Sequence, residues 1–570
     1  MSSEKTATPD TISSDSNTTT NTNTNNDSNN AKVEKKTDDL EAQTTISNDY
    51  DNAGPGNGQP VVQLGKIELL LVMLGLAFGV FLAALDQTIV ATALPAIASD
   101  FKALDKIAWV ATAYLLTTTA FQPTYGKFSD IFGRKATFLF AITMFELGSL
   151  LCGLAPNMTT MIVFRAIAGI GGGGIISLVM IIISDIVSLQ DRGKYQGMIG
   201  GVYGISSVVG PLLGGAFTDH VTWRWAFYIN LPLGAITIGA VIFLLHIPRP
   251  KGSLLQKLKR IDYAGTIAVV GSTVVLLIPL NWGGNEYEWS SPIIIVLLIV
   301  GCIGYILFAV IETKFAIEPV APPHLFKRLH VVGCFSTNFF QGMAFFSLVY
   351  YVPLYFQVVR GDSATASGLE LIPYILGVVI ASIFTGQAVS RTDKLSYRTI
   401  CAMGAALIAI GVGLITLWDA NTGRGPQIGY MIIAGLGVGA IMQTTLLCGQ
   451  GIVEYKDVAA VTALLMFFRL IGAVFGVAIV GTIFSNVLST NLEKIAISPE
   501  IIEAVKQSAT IVNQISDVTT RNAIIDAYVN ALRAAFTADI PISILCFICS
   551  IFMGNHKPNL SRSETIVAFE

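Results

Sequence analysis

The sequence contains few charged residues. Asp, Glu, Lys and Arg together make up 13% of its 570 residues, whereas ordinary soluble domains carry roughly 25%. Because 52% of the residues are hydrophobic, this composition excludes an ordinary soluble globular protein. The seven cysteines lie scattered in or beside apolar runs, which excludes the disulfide framework of a small secreted protein.

A strong positive charge is also lacking. The formal charge is −3, which divides into −6 for the first sixty residues and +3 for the remainder, so no nucleic-acid partner is indicated. The five histidines show no metal-ligand spacing, and no nucleophile or phosphate-binding loop stands in a suitable setting. We therefore do not expect an enzyme, and we expect no bound cofactor and no metal.

The first sixty residues have almost no aromatic or β-branched aliphatic side chains. They are rich in Ser, Thr, Asn and Asp, and such a segment cannot bury enough apolar surface to offset its ordering entropy. We predict a disordered cytoplasmic tail over residues 1–65. The first apolar run begins near Leu69, which is too late for a cleavable secretory signal, so we expect this run to stay as a membrane anchor.

Apolar runs of about 20 residues, the length that spans a bilayer core, recur along the rest of the chain. Each run predicts a helix, because a segment inside the bilayer has to satisfy its own backbone hydrogen bonds. The fourteen predicted spans are 69–91, 108–125, 136–155, 159–182, 197–217, 225–246, 263–281, 292–312, 332–355, 367–389, 399–418, 428–449, 459–483 and 536–554.

The distribution of lysine and arginine indicates the orientation. Short cytoplasmic loops carry an excess of these residues. With fourteen spans and both termini inside, twenty Lys and Arg residues fall on the cytoplasmic side and nine on the other. We therefore predict an all-α integral membrane protein with fourteen transmembrane helices, an even number that places both termini in the cytoplasm.

The spans group as six, two and six. Residues 66–247 form the predicted N-terminal six-helix half. Residues 248–330 form a linker that contains two extra helices. Residues 331–555 form the C-terminal six-helix half, in which we expect a long, partly helical outer loop over 486–533. Residues 556–570 form a second cytoplasmic tail, and we expect the chain to act as a monomer.

The loop between spans 2 and 3 combines glycines with charged side chains. Glycine is needed where a tight turn bends or approaches a neighbouring helix, and the charges can cap a helix and tie loops together. The residues are Gly126, Asp130, Gly133, Arg134 and Lys135. This loop resembles the signature of the major facilitator superfamily, and a weaker copy follows span 10. The resemblance implies two repeated six-helix halves with this loop as an inner gate.

Span 5 contains a second motif, in which a proline stands among glycines. Proline removes a helix hydrogen bond and glycine lets a neighbouring helix approach, so span 5 is either a hinge or a site of ordinary close packing. The residues are Gly204, Gly210, Pro211, Gly214 and Gly215. Together with residues 85–95 of span 1, this motif resembles the fungal fourteen-span drug:proton antiporters of the superfamily, and also their vacuolar basic amino acid transporters.

Four charged residues inside predicted spans are functional candidates: Asp86, Glu146, Arg165 and Arg469. A charge at the centre of a membrane helix costs about 2.5–3.5 kcal/mol on insertion scales. Asp86 and Arg165 both fall in the outer half, where they can face each other, and the resemblance links Arg165 to proton transfer. Asp86 or Glu146 would bind the proton, with a structural hydrogen bond or ion pair as the alternative. Arg469 is either the second-half counterpart or a packing partner for carbonyl groups.

The resemblance implies an antiporter that exports drug-like or toxic small molecules, with the proton as coupling ion and the plasma membrane as the first expected location. The alternatives are a vacuolar exchanger of Lys, Arg or His, a siderophore or metabolite exporter, and a non-transporting nutrient sensor. Four side chains are candidates for an apolar substrate cavity, with ordinary helix contacts as the alternative: Phe346, Tyr350, Gln443 and Phe467.

Overall fold

The computed structural model describes residues 64–554, apart from 104–105, 248–249, 251, 285, 392–395, 496–497, 499–500, 503–504, 506–511 and 513–514. The two predicted tails lie almost wholly outside these residues. The weaker copy of the gate loop after span 10 also lies partly outside them.

Fourteen long helices account for most of the described residues, and each coincides with one predicted span. They are α1 Lys66–Phe101, α2 Ile107–Phe132, α3 Arg134–Gly153, α4 Met158–Ile186, α5 Leu189–His220, α6 Asn230–Leu244, α7 Tyr263–Trp282, α8 Pro292–Lys314, α9 Leu329–Val359, α10 Ile372–Arg391, α11 Tyr397–Ile415, α12 Arg424–Gly451, α13 Tyr455–Leu492 and α14 Val518–Ile551. Four short helices, Trp225–Tyr228, Leu254–Lys259, Pro323–Phe326 and Ala364–Leu369, lie in the connections.

Thirteen segments of the described chain are long and apolar enough to cross a membrane, and they correspond to every long helix except α2. Helix α2 has 26 residues and includes Pro123, and its threonines and glutamine lower its hydropathy. Its length is sufficient for a span, and it packs along α4 and α13 inside the bundle. We therefore count α2 as the fourteenth transmembrane helix.

The helices form two groups. Helices α1–α6 pack mainly on one another, as do α9–α14, and the halves meet where α5 packs on α10 and α2 packs on α13. The extra helix α7 packs on α2 and α13, whereas α8 packs mainly on α7. The exposed face of α8 carries Ile299, Ile303 and Ile306, as expected for a helix that faces lipid.

Helix α4 owes its central position in the first half to a run of glycines. A Cβ atom at Gly169 or Gly173 would fall on a backbone carbonyl of α2, and one at Gly171 would fall on the carbonyl of Ala141 in α3. Both neighbours therefore approach α4 to backbone contact. This close packing brings Arg165, one turn before the run, next to α1 and α2.

The last two helices are longer than predicted. Helix α13 continues to Leu492 and α14 already begins at Val518, so both extend into the range 486–533. Asp517 caps α14 by accepting hydrogen bonds from the backbone N–H groups of residues 519 and 520. Apolar side chains of the two extensions, including Leu488 and Tyr528, share a small core, which explains why polar flanks did not end the helices.

The helix bundle has two ends. The predicted inner end holds the α2–α3, α4–α5, α10–α11 and α12–α13 connections. The predicted outer end holds the α1–α2, α9–α10 and α13–α14 connections.

Candidate functional site

An ion pair lies buried among the helices of the first half. Arg165 Nη1 of α4 donates a hydrogen bond to Asp86 Oδ2 of α1 at 2.7 Å. Arg165 Nε donates to the Val110 carbonyl at 3.1 Å, and the guanidinium carbon lies 4.3 Å from the centre of the Tyr114 ring. Asn230 Nδ2 lies 3.2 Å from Asp86 Oδ1. The pair thus has the additional hydrogen bonds that a buried ion pair needs.

The structure brings Asp86 and Arg165 together, as the sequence suggests for two charges at the same depth. It adds Tyr114 and Asn230, which the sequence analysis did not single out. Neither carries a charge that stands out in an apolar run. Asn230 is the first residue of α6, and only its position in space gives it a part in the cluster.

Glu146 of α3 lies near this ion pair but has no counter-charge. Its carboxyl packs against Gly234 of α6, and both carboxyl oxygens are buried with no hydrogen-bond partner among the described residues. Ser149, three residues further on, accepts a hydrogen bond from Asn230 at 3.2 Å, and Asn230 also binds Asp86. Because an unpaired buried carboxylate is costly, this environment favours the neutral acid.

A second polar cluster lies at the predicted inner end, around Arg134 at the start of α3. Arg134 Nη1 binds Asp130 Oδ1 at 2.5 Å and Ser129 Oγ at 2.7 Å, and its Nε binds Asp185 Oδ2 of α4 at 2.7 Å. The other oxygen of Asp185 accepts a hydrogen bond from the Tyr455 hydroxyl of α13 at 3.1 Å. The cluster therefore links the two halves. Asp185 and Tyr455 were missed from the sequence because both lie at helix ends outside the motif.

The remaining residues of the gate loop fix its position. Gly133 joins α2 to α3 with φ +92°, a conformation that favours glycine. A Cβ atom at Gly126 would lie 2.9 Å from the Ala459 carbonyl of α13, so α2 and α13 are in backbone contact here. Lys135 Nζ donates to the carbonyl of Leu245 at 3.0 Å, near the end of α6, where a positive charge is favourable.

Glutamine side chains add further hydrogen bonds between the halves at the inner end. Gln196 of α5 donates to Gln450 of α12 at 3.2 Å and accepts from Gln443 of α12 at 3.1 Å. Gln450 in turn donates to Thr462 of α13 at 3.0 Å. Together with the contact between Asp185 and α13, these bonds close the inner end in this structure.

Two glycines of the span 5 motif allow α5 to approach α1. Cβ atoms at Gly210 and Gly214 would clash with the side chains of Thr88 and Thr92, respectively. Gly204 faces α10 in the other half, where a Cβ atom would lie 2.8 Å from Val379. The motif thus contributes to packing within the first half and to the contact between halves.

Gly215 differs from the other glycines of the motif. No atom lies within 4 Å of the position of its Cβ, so the close approach proposed from the sequence occurs at Gly210 and Gly214 and not at Gly215. Helix α5 continues through Pro211 as one element. The role of this motif as a hinge stays a prediction.

The candidates in the second half lie in different places. Arg469 Nη2 lies 3.1 Å from the sulfur of Met466, and no carboxylate acts on it among the described residues. Phe346 and Tyr350 line a cleft between α2, α7, α9 and α13. Phe467 is buried in the core, and Gln443 belongs to the closed inner end, so neither lines this cleft.

Comparison with known proteins decides the family. The profile described as Major Facilitator Superfamily matches residues 76–477. The chain belongs to the Major Facilitator Superfamily. This membership confirms the resemblance seen in the gate loop and the predicted helical membrane fold, and it makes the chain a multi-pass membrane transporter of small molecules.

Relatives within the superfamily come from fungi. The chain is 40% identical over 465 residues to the MFS-type efflux pump MFS1 of Arthroderma benhamiae, covering 80% of this chain and 85% of the relative. It is 39% identical over 438 residues to efflux pump dotC of Dothistroma septosporum, covering 77% and 74%. It is 36% identical over 495 residues to efflux pump aflT of Aspergillus parasiticus, covering 86% and 95%.

Solved structures show the same superfamily fold. The human organic anion transporter MFSD10 (TETRAN) has a TM-score of 0.55 at 13% identity and covers 84% of this chain and 99% of its own. A bacterial homologue of the lysosomal transporter Spinster, inward-facing and unoccupied, has a TM-score of 0.53 at 16% identity and covers 86% and 98%. At these identities the likeness concerns the fold alone.

Proposed function

We propose that this protein is a proton-coupled antiporter that exports drug-like or toxic small molecules by alternating access, with the proton as its coupling ion. The direction of transport is supported by the relatives, which are named efflux pumps. The observation that carries the proton coupling is the unpaired, buried carboxyl of Glu146 beside the Asp86–Arg165 ion pair. A carboxyl in such a place binds or releases a proton when its surroundings change.

The closed inner end suggests where this conformation stands in the cycle. A proton taken up from the outer side neutralises Glu146, and the neutral acid is stable in the apolar site. When the halves rotate and the inner end opens, water that reaches Glu146 can stabilise its ionised form. The proton then leaves to the cytoplasm, and a substrate binds from that side. Asp86 keeps Arg165 neutralised between these events.

We further propose that both termini are cytoplasmic and that the protein works in the plasma membrane, with the vacuolar membrane as the second candidate. The orientation rests on the excess of lysine and arginine in the loops of the predicted inner end. Export from the cell is the activity that the names of the fungal relatives suggest, and it requires the plasma membrane.

The test measures proton movement in sealed proteoliposomes with an acidic interior and a trapped pH dye. Interior alkalinisation when cationic dyes or azoles are added outside supports the drug exporter. Alkalinisation with Lys, Arg or His alone would instead indicate an exchanger of basic amino acids. If folded protein responds to neither, drug and amino acid exchange are both rejected, leaving a narrower metabolite or a sensor.

Glu146→Gln tests the coupling residue. The variant keeps the shape of the side chain but cannot release a proton, so proton flux driven by substrate should fall at least tenfold while substrate binding persists. Glu312→Gln is the matched control, because Glu312 is also a buried carboxyl but accepts hydrogen bonds from the backbone N–H groups of Val320 and Ala321 outside the two halves. Equal losses in both variants would contradict a specific role for Glu146.

A further inference from the structure

A second unpaired carboxyl lies in the C-terminal half. Asp539 of α14 is fully buried, and both of its carboxyl oxygens are buried without a hydrogen-bond partner. Among the described residues, Glu146 and Asp539 alone have both carboxyl oxygens in this state. The two lie in different halves, so Asp539 is not part of the cluster around Asp86.

Polar side chains of α9 and α10 surround Asp539. Tyr351 of α9 and Tyr374 of α10 lie within electrostatic range of its carboxyl. The Tyr374 hydroxyl is itself buried and has no hydrogen-bond partner in the described part of the chain. Ser347 of α9 lies beside Asp539, but its hydroxyl donates to the Met343 carbonyl at 2.8 Å.

No positive charge faces Asp539 among the described residues. Helices α11 and α13 also pack on α14, and no positive charge of either helix acts on Asp539 among the described residues. Arg533, one and a half turns earlier on α14, donates instead to the carbonyls of Thr416 and Trp418 at the predicted outer end. An ionised Asp539 would therefore be an uncompensated charge in an apolar site, which is strongly disfavoured.

Helix α14 contains a proline next to Asp539, which makes the helix easier to bend there. Pro541 lies inside the helix and lacks a backbone N–H group, so one helix hydrogen bond is missing at this level. Ser543 donates its hydroxyl to the Asp539 carbonyl at 2.9 Å. Kinks in helices concentrate at such prolines, so a movement of the second half can change the neighbours of Asp539.

We propose that Asp539 is a second proton-binding site, located in the C-terminal half and occupied by a proton in this conformation. The inference rests on the proposed proton-coupled transport. The carboxylate binds one proton to become the neutral acid, which is the form that an apolar site without a counter-charge favours. The reverse step releases the same proton when bending at Pro541 exposes the carboxyl to water or to a positive charge. Each half then contains one carboxyl group that can bind and release a proton.

The first test observes the proton directly and needs no transport. Infrared difference spectra of the full-length protein in lipid nanodiscs are recorded from mildly acidic to mildly alkaline pH. A carboxylic acid C=O band that moves in heavy water, disappears in Asp539→Asn and persists in Ser543→Ala is the expected result. Absence of that band from the wild type at every pH, or a band that never exchanges in heavy water, would overturn the proposal.

The second test counts protons. In proteoliposomes, the number of protons exchanged per molecule of rhodamine 6G should be lower by one in Asp539→Asn than in the wild type and unchanged in Ser543→Ala. An unchanged ratio in Asp539→Asn would refute a proton-carrying role. If wild-type protein moves no tested compound, the proposed function fails, whereas the infrared band still decides whether Asp539 binds an exchangeable proton.

Discussion

Single residues of the first half place negative charge in two different settings. Asp86 is compensated by Arg165 and by an amide hydrogen bond, whereas Glu146 has neither. The same chemical group is therefore fixed as an ion at one position and free to be neutral at the other. The first position supports stability and the second is available for proton exchange.

Asp86→Asn tests the compensated charge. Removing the carboxylate leaves Arg165 as a buried charge without its partner, and breaking such a pair costs about 3–5 kcal/mol. We expect the free energy of unfolding in detergent to fall by that amount. The double variant Asp86→Asn with Arg165→Met should recover much of the loss, because no lone charge remains. A double variant less stable than the single one would contradict this explanation.

Asp86, Glu146 and Arg165 could be identified as candidates from the sequence, because a charged residue within an apolar run is conspicuous. Tyr114, Asn230 and Tyr455 could not be identified in this way, since their contacts depend on which helices face each other in the fold. Asp539 was missed for a different reason. The predicted span began at residue 536 and placed Asp539 at the membrane edge, whereas α14 begins at Val518 and places it well inside the helix.

At the scale of elements, the bounds and contacts of the helices decide what each motif does. All fourteen predicted spans correspond to helices, because hydrophobic length is written directly in the sequence. The sequence does not show which neighbouring helix each face of a helix contacts. The glycines of α5 were therefore predicted as one group, although they face different neighbours. Gly210 meets α1 and Gly215 meets open space.

Gly210→Ala and Gly215→Ala form a matched pair of variants on α5. The first adds a methyl group against Thr88, and overpacking of this kind costs about 1–3 kcal/mol. The second adds the same group where nothing lies within 4 Å. We expect thermal unfolding to show a loss of stability for Gly210→Ala alone. A similar loss in both variants would mean that alanine acts on α5 itself and not on its contact with α1.

The linker is tied to α2 by Glu318, whose carboxylate binds Lys127 at 2.9 Å and Arg260 at 2.6 Å. Burial by itself raises the pKa of Glu318, but these two cations outweigh it and hold the pKa below its ordinary value. The contribution to stability is therefore present above the ordinary pKa of a glutamate and is lost as the pH falls through the lowered value.

Glu318→Gln should loosen the linker at neutral pH by at most ~1 kcal/mol, because the pair is partly exposed. The measurement is hydrogen–deuterium exchange of the short helix Leu254–Lys259, which should become faster in the variant. The difference from the wild type should vanish in strong acid. Glu370→Gln, which removes an ion pair with Arg424 far from the linker, is the control. Faster exchange in both variants would refute the local effect.

At the scale of the whole molecule, the hydrogen bonds described between the halves lie at the predicted inner end. The bond from Tyr455 to Asp185 joins α13 of one half to α4 of the other, and Asp185 also holds Arg134 of the gate loop. Opening this end has to break the bond. The balance between closed and open forms therefore depends on it.

Tyr455→Phe removes the hydroxyl and leaves the ring. Loss of one hydrogen bond of about 1 kcal/mol should raise the ratio of inner-open to inner-closed molecules roughly fivefold. Distances between spin labels at Lys194 and Leu329, both exposed, report this ratio. Tyr528→Phe removes a hydroxyl that binds the Val505 carbonyl within the second half and should leave the ratio unchanged. An unchanged ratio in Tyr455→Phe would contradict the gate.

The hairpin of α7 and α8 makes the two seams between the halves unequal. On one seam α2 and α13 touch directly and α7 packs on both of them, whereas on the other seam α5 and α10 touch without a third helix, and Gly193 and Gly386 are in backbone contact. When one half rotates against the other, the helices of the first seam have to move past α7. On the second seam, α5 and α10 can move against each other at the contact between the two glycines. We therefore expect the two seams to move differently when the halves rock, because a third helix packs on only one of them.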